Sequence, residues 1–183
     1  MKKEIILYIA LWALFGTARM TLHFMTKGRL TAATKDLSLL HITFPYMMSA
    51  VAAAVEFDMR TIIPSLPFVI IGLLFFIGGS VIQFSGVVTL RNYFSNAVEL
   101  KQEHTVISSG IYSLIRHPIY LGILLQSVAS PFLLNVRIAV LFIIWATIGI
   151  FLRIRNEERC LCEHLDGYAD YRKRTSALVP GIF

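Results

Sequence analysis

Charge is what this sequence has least of. Only 15% of its 183 residues are Asp, Glu, Lys or Arg, against about 25% in an ordinary soluble domain. Cysteine is nearly absent as well: Cys160 and Cys162 stand alone, which excludes a disulfide framework. On a helix they would project about 200° apart, so they should not bond to each other and read as free thiols facing a reducing compartment. There is no internal repeat and no low-complexity segment. No Ser/His/Asp ordering, nucleophile elbow, phosphate loop or dinucleotide glycine fingerprint is found, which removes the common soluble hydrolases and nucleotide folds. Cys160-Leu161-Cys162-Glu163-His164 lacks zinc-knuckle spacing and a second ligand pair, so no metal is expected. His23 and His41 are isolated and read as interfacial packing.

Hydrophobic residues make up 56% of the chain and aromatics 12%, with a mean hydropathy of +0.69. These values exclude disorder and point to a membrane protein. The net charge of +6 is spread between apolar blocks rather than gathered in one patch. That distribution suits loops beside anionic lipid heads and disfavours nucleic acid.

Charge-free stretches run over Ile5–Ala18, Leu37–Val55 and Thr61–Leu90, and Pro118–Leu152 is interrupted only by Arg137. A spanning helix needs about 20 residues. The third stretch makes one long span with a kink near Pro64 and Pro67. The last would reach about 52 Å as one helix, too long for a hydrocarbon core of about 30 Å. It should fold back as a hairpin, with its corner between Pro131 and Arg137. The expected architecture is an all-α integral membrane protein of about five spans: roughly 4–24, 38–57, 62–90, 118–133 and 137–154. With that count, thirteen of the 17 basic residues share one side and four, Lys2, Lys3, Arg60 and Arg137, lie on the other. The positive-inside rule then puts the C-terminus in the cytoplasm and the N-terminus outside. Met1-Lys2-Lys3 before an apolar run also resembles a signal peptide, but Gly16-Thr17-Ala18 is a poor cleavage site and an uncleaved first helix is expected. Residues 1–93 would form three N-terminal spans. Residues 94–183 would form the region carrying the chemistry, since the polar segments Arg91–His117 and Arg153–Phe183 both fall on the cytoplasmic side.

Two constellations hold most of the reactive side chains. In the first, His104 to Gly122, Pro118 suits the first turn of a helix because its missing N–H would be unpaired there anyway. His117 then sits at the cap, near a positive dipole end that suits a carboxylate or phosphate. Tyr112 and Tyr120 flank it with faces for a ring or a cation. A plain loop with Tyr and His as interfacial anchors explains the same residues. In the second, Arg153 and Glu157 lie four apart on one helix face, with Glu158 beside them. A positive-inside anchor followed by a solvated helix is the plain alternative, and orientation of a ligand arriving from lipid the functional one. Leu161, Leu165, Tyr168 and Tyr171 read as an amphipathic helix on the membrane surface.

Taken together, Gly110-x-Tyr112-x3-Arg116-His117-Pro118-x-Tyr120, then Arg153-x3-Glu157-Glu158 after a hairpin, then Tyr168-x2-Tyr171 and Pro180, resemble the isoprenylcysteine carboxyl methyltransferase family. The resemblance covers about Phe94 to Pro180. It implies an S-adenosyl-L-methionine-dependent membrane methyltransferase with a cytoplasmic cofactor pocket. The acceptor would be a lipophilic small molecule or a lipidated chain among membrane lipids. Carried over by position, His104, Thr105, Val106, Ile107, Tyr112, His117, Pro118, Ile119, Tyr120 and Glu157 would bind the cofactor, and Arg153 would stand at the acceptor. Leu165-Asp166-Gly167-Tyr168 is one residue shorter than the family pattern, and Glu99 aligns with its upstream polar residue only through a gap. Carboxyl O-methylation of an isoprenylcysteine-type substrate is the expected reaction. Phospholipid N-methylation, with Glu158 or His117 assisting proton transfer, and a non-catalytic membrane protein keeping the fold are the alternatives.

Overall fold

A computed structural model describes residues 3–26, 40–60, 64–90 and 106–181. These form the helices α1 (Lys3–Thr26), α2 (Leu40–Met59), α3 (Leu66–Leu90), α4 (Pro118–Leu134), α5 (Ala139–His164) and α6 (Tyr168–Arg174), with a 3-10 turn at Gly110–Ser113. Among the described residues there is no strand, only an isolated parallel bridge between Ile115 and Ser176. Helix is what such a sequence must form, since a segment surrounded by hydrocarbon has to satisfy its own backbone hydrogen bonds. Helices α3 and α5 are long and apolar enough to cross a membrane by length and composition, and Ile5–Gly16 and Pro118–Leu134 are shorter apolar helices. Outward-facing apolar side chains line α1, α2, α3 and α5: Leu14, Met47, Leu74, Ile77, Val81, Leu141, Ile148 and Leu152 are all exposed. So much exposed apolar surface suits a lipid environment and not water.

Among the described residues the expected kink in the third stretch is not found. Helix α3 starts at Leu66, so Pro64 precedes it and Pro67 falls in its first turn, where proline costs nothing. The hairpin corner falls where expected, between Pro131 and Arg137. Helix α4 continues through that proline to Leu134, and Asn135 ends it in the left-handed conformation (φ 51°), a role Asn fills nearly as well as Gly. The start of α5 is held from α2: Glu56 Oε2 accepts the Arg137 and Ile138 N–H groups at 2.8 and 2.7 Å, and its other oxygen pairs with Arg60 at 2.7 Å.

Helices α3 and α4 pack antiparallel at very close range. A Cβ on Gly79 would stand 2.7 Å from the Gly122 carbonyl oxygen, and one on Gly122 would stand 2.5 Å from that of Gly79. Only two glycines permit such an approach. The contact buries a polar chain between helices: Tyr46 and Gln83 both donate to Gln126 Oε1, at 2.8 and 3.0 Å, and Gln126 Nε2 donates to Ser80 at 2.8 Å. At one end of this bundle, Ile42, Ile123, Ile150, Ile154 and Leu178 form an apolar cluster. The charged residues of α5 lie directly beyond it along the helix.

Candidate active site

The site is assembled where α4 begins and α5 runs on past its apolar portion. Gly110 takes a left-handed conformation (φ 58°), turning the chain into the 3-10 turn that buries Tyr112. Residues 114–117 then run beside a C-terminal strap, residues 175–178. The Arg116 N–H donates to Ser176 O at 2.9 Å and the His117 N–H to Ala177 O at 3.0 Å. Pro118 is the first residue of α4 and His117 its N-cap, in agreement with the sequence expectation.

Helix α5 presents Arg153, Glu157 and Glu158 to this segment. Arg153 is only 1% exposed. Its Nε donates to the Tyr120 hydroxyl at 2.7 Å and to Glu157 Oε1 at 3.0 Å. Tyr120 in turn donates to the same Glu157 oxygen at 2.6 Å. The three form a closed triangle of charge-assisted bonds, each of the strong class. Glu157 Oε2 lies 3.7 Å from His117 Nδ1, too far for a hydrogen bond.

Glu158 faces the other way and is saturated. Its Oε1 accepts from Arg116 Nε at 2.7 Å and from His117 Nε2 at 3.2 Å, and its Oε2 pairs with Arg172 Nε at 2.9 Å. Burial works to raise the Glu158 pKa. The hydrogen bonds from His117 and Arg116, with their charges, outweigh it and bring it down to about 2. A carboxylate held this firmly ionised is a weak proton acceptor near neutral pH. It is a clamp: Arg116 also donates to the carbonyls of Arg172, at 3.0 Å, and Thr175, so one buried carboxylate ties the start of α4 to α5 and to the C-terminal strap.

The surface-helix expectation for Leu161 to Tyr171 is overturned. The helix breaks after His164, and Gly167 at φ 80° turns the chain back, a geometry open to glycine at little cost. Helix α6 then folds inward with Tyr168 and Tyr171 both buried. Tyr171 donates to Tyr112 O at 2.6 Å. The Tyr168 hydroxyl is buried and has no hydrogen-bond partner among the described residues. Burial, and secondarily the nearby Glu158 charge, pushes the Tyr168 phenol far above its ordinary range, so it keeps its proton.

Of the expected site residues, Tyr112, His117, Tyr120, Arg153 and Glu157 come together here. Pro118 and Ile119 turn toward α3 instead, against Gly86. Val106 and Ile107 are half-buried ahead of the 3-10 turn, and His104 and Thr105 lie outside the described residues. In the sequence, Arg116 and Glu158 stand out only as parts of a motif, and Arg172 does not stand out at all. The available signal is the Glu157-Glu158 doublet: neighbours on a helix point about 100° apart, so two adjacent carboxylates at one site must serve two different sets of partners.

A model of the isoprenylcysteine carboxyl methyltransferase family matches residues 70–163, about half of the chain. The chain belongs to the isoprenylcysteine carboxyl methyltransferase family. The protein-S-isoprenylcysteine O-methyltransferase of Dictyostelium discoideum is 30% identical to it over 116 residues, covering 61% of this chain and 49% of that relative. The one from Xenopus laevis is 30% identical over 156 residues, covering 80% and 54%. The chain thus spans about half the length of the curated relatives it matches. The solved structure of a eukaryotic intramembrane Ras methyltransferase superposes with a TM-score of 0.73 at 23% identity, covering 96% of this chain and 65% of that one. This likeness is one of fold, and the fold is that of an intramembrane member of the isoprenylcysteine carboxyl methyltransferase family. The family match stops just before Gly167, so α6 and the strap that complete the site lie beyond it.

Proposed function

We propose that this protein is an integral membrane methyltransferase that uses S-adenosyl-L-methionine to methylate the carboxylate of an isoprenylcysteine-type acceptor. In this reading α1 to α4 and the apolar portion of α5, up to about residue 154, are five spans, the C-terminus is cytoplasmic, and residues 94–183 carry the site. The observation that carries it is the Arg153–Tyr120–Glu157 triangle, buried at the junction between apolar helices and a charged, strap-covered cluster. The residues present fit the cofactor. Glu157 can take its ammonium, the α4 N-terminus that His117 caps can take an anionic group, and Tyr168 offers a buried donor that no described residue uses.

When bound, the cofactor supplies a methyl group on a positively charged sulfur, whose C–S bond breaks toward sulfur as an acceptor oxygen bonds the carbon. The chain's contribution is positioning and exclusion of water. A carboxylate acceptor is already ionised at pH 7 and requires no base. Arg153 presents a planar fork suited to a carboxylate, and Tyr120 and Glu157 hold that fork in register. Opposite charges partly cancel as the bond forms, so a water-poor site speeds the step. Holding two substrates in line does the rest. An amine acceptor would need to lose a proton, and the saturated, firmly ionised Glu158 is poorly suited to take it. Purified protein incubated with methyl-labelled S-adenosylmethionine and either a prenylcysteine or phosphatidylethanolamine tests the proposal. Label on the prenylcysteine ester supports it, and label on the phospholipid alone overturns it.

A further inference from the structure

Tyr168 and Tyr171 lie one turn apart on α6, and the chain uses them differently. Both are buried, with ring centroids 5.7 Å apart in an edge-on contact. Tyr171 spends its hydroxyl on docking, donating to Tyr112 O at 2.6 Å. Tyr168 is only 5% exposed, yet its hydroxyl is without a hydrogen-bond partner among the described residues. Buried hydroxyls are almost always bonded, and one that is not calls for a specific explanation. Packing alone does not supply it, because phenylalanine would fill the same space without the polar atom.

The surroundings say which kind of ligand the hydroxyl meets. Tyr168 feels the charges of Glu158, Arg116 and Glu157. It is carried on α6, the same short helix whose exposed Arg172 pairs with Glu158 at 2.9 Å. Arg153, more than one turn earlier on α5 than Glu158, is the charged residue that borders the apolar cluster of Ile150 and Ile154. A hydroxyl on the helix that closes the charged clamp, away from the apolar cluster's own residues, suits a polar, soluble ligand rather than a prenyl chain. The phenol keeps its proton, so it acts as a donor. Its position is preset by α6 and the strap, which Arg116 and His117 hold through one hydrogen bond to Arg172 and three to Thr175, Ser176 and Ala177. We propose that Tyr168 is a cofactor-contacting residue whose phenol donates a hydrogen bond to an oxygen or ring-nitrogen acceptor of S-adenosylmethionine. This rests on the functional reading above, and it assigns a contact beyond the residues that the family resemblance supplies.

The test compares Tyr168→Phe and Tyr171→Phe with the wild type, reading melting temperature without ligand and calorimetric affinity for S-adenosylhomocysteine in detergent micelles. Both substitutions keep the ring and so the packing. Without ligand, Tyr168→Phe should melt at or above the wild-type temperature, because it removes a buried hydroxyl that bonds nothing, while Tyr171→Phe should melt lower. Tyr168→Phe should bind S-adenosylhomocysteine about three- to tenfold more weakly. Methylthioadenosine, which lacks the amino-acid portion, locates the contact: a penalty that persists places it on the nucleoside, and one that vanishes places it on the amino acid. Unchanged affinity in Tyr168→Phe overturns the proposal. A ligand-free melting temperature lowered as far as in Tyr171→Phe also overturns it, since the hydroxyl then serves the fold. If the wild type binds no S-adenosylhomocysteine, the functional reading itself fails and this inference falls with it.

Discussion

Replacing Arg153 by lysine separates an acceptor site from a membrane anchor. Arg153 stands where α5 leaves its apolar portion, so a positive charge there has a topological use that lysine serves equally well. What lysine cannot reproduce is the planar fork. The Nε that now donates to both Tyr120, at 2.7 Å, and Glu157, at 3.0 Å, would become a methylene. The single ammonium beyond it could not hold these partners and meet a carboxylate at two points. A hydrogen bond to a charged group contributes about 1.5–3 kcal/mol. Losing one such bond from the transition state alone lowers kcat/KM roughly 10- to 150-fold. Helix α5 and the affinity for S-adenosylhomocysteine should survive, since the positive charge beside Glu157 remains. The assay is steady-state methylation of a prenylcysteine by folded Arg153→Lys protein, with cofactor affinity measured in parallel. Wild-type turnover would return Arg153 to the role of an anchor and remove the main support for a carboxylate acceptor.

Glu157→Ala removes the carboxylate proposed to meet the cofactor ammonium. By the same charge-assisted figure of about 1.5–3 kcal/mol, S-adenosylhomocysteine should bind roughly 10- to 150-fold more weakly, and unchanged calorimetric affinity would sink the assignment. The Glu158 clamp sets an acid limit on the strap. Because its pKa drops from an ordinary 4.5 to about 2 on folding, its stabilisation is complete above about pH 4.5 and is lost as pH falls toward 2. Hydrogen exchange at the Arg116 and His117 amides should therefore lose protection over that window, beyond the intrinsic pH effect. Glu158→Gln should show the loss already at pH 7, and a variant as protected as wild type there would refute the clamp. For topology, a reporter fused after Phe183 should be active only in its cytoplasmic form, and an externally active fusion would invert the proposed orientation.

Much of the fold is legible in the sequence because hydropathy acts locally. Runs of Leu, Ile, Phe and Ala place the starts of all five long helices to within a few residues. Pro118 marks the start of α4, since proline is tolerated only where the helix has an unpaired N–H to spare. The i, i+4 spacing of Arg153 and Glu157 is enough to bring those two onto one face. The hairpin corner falls in the expected window between Pro131 and Arg137, and within it Asn135, able to adopt the left-handed conformation, is what ends α4.

What the sequence by itself determined is therefore what one helix turn or one hydrophobic run can encode: the helical class, the positions of the long helices, and the Arg153–Glu157 pairing. The tertiary structure alone decided what depends on pairings across the chain. Arg116 and Glu158 meet 42 residues apart, Tyr171 reaches Tyr112 across 59, and Gly79 and Gly122 close a gap in which no other residue fits. Tyr168 is the clearest case. An aromatic at an amphipathic spacing suits a membrane surface as well as a protein interior, and its own neighbours in sequence do not distinguish the two. Only the left-handed turn at Gly167 and the grip of Arg116 on the strap fold it inward, because burial is a property of what packs against a residue and not of the residue itself.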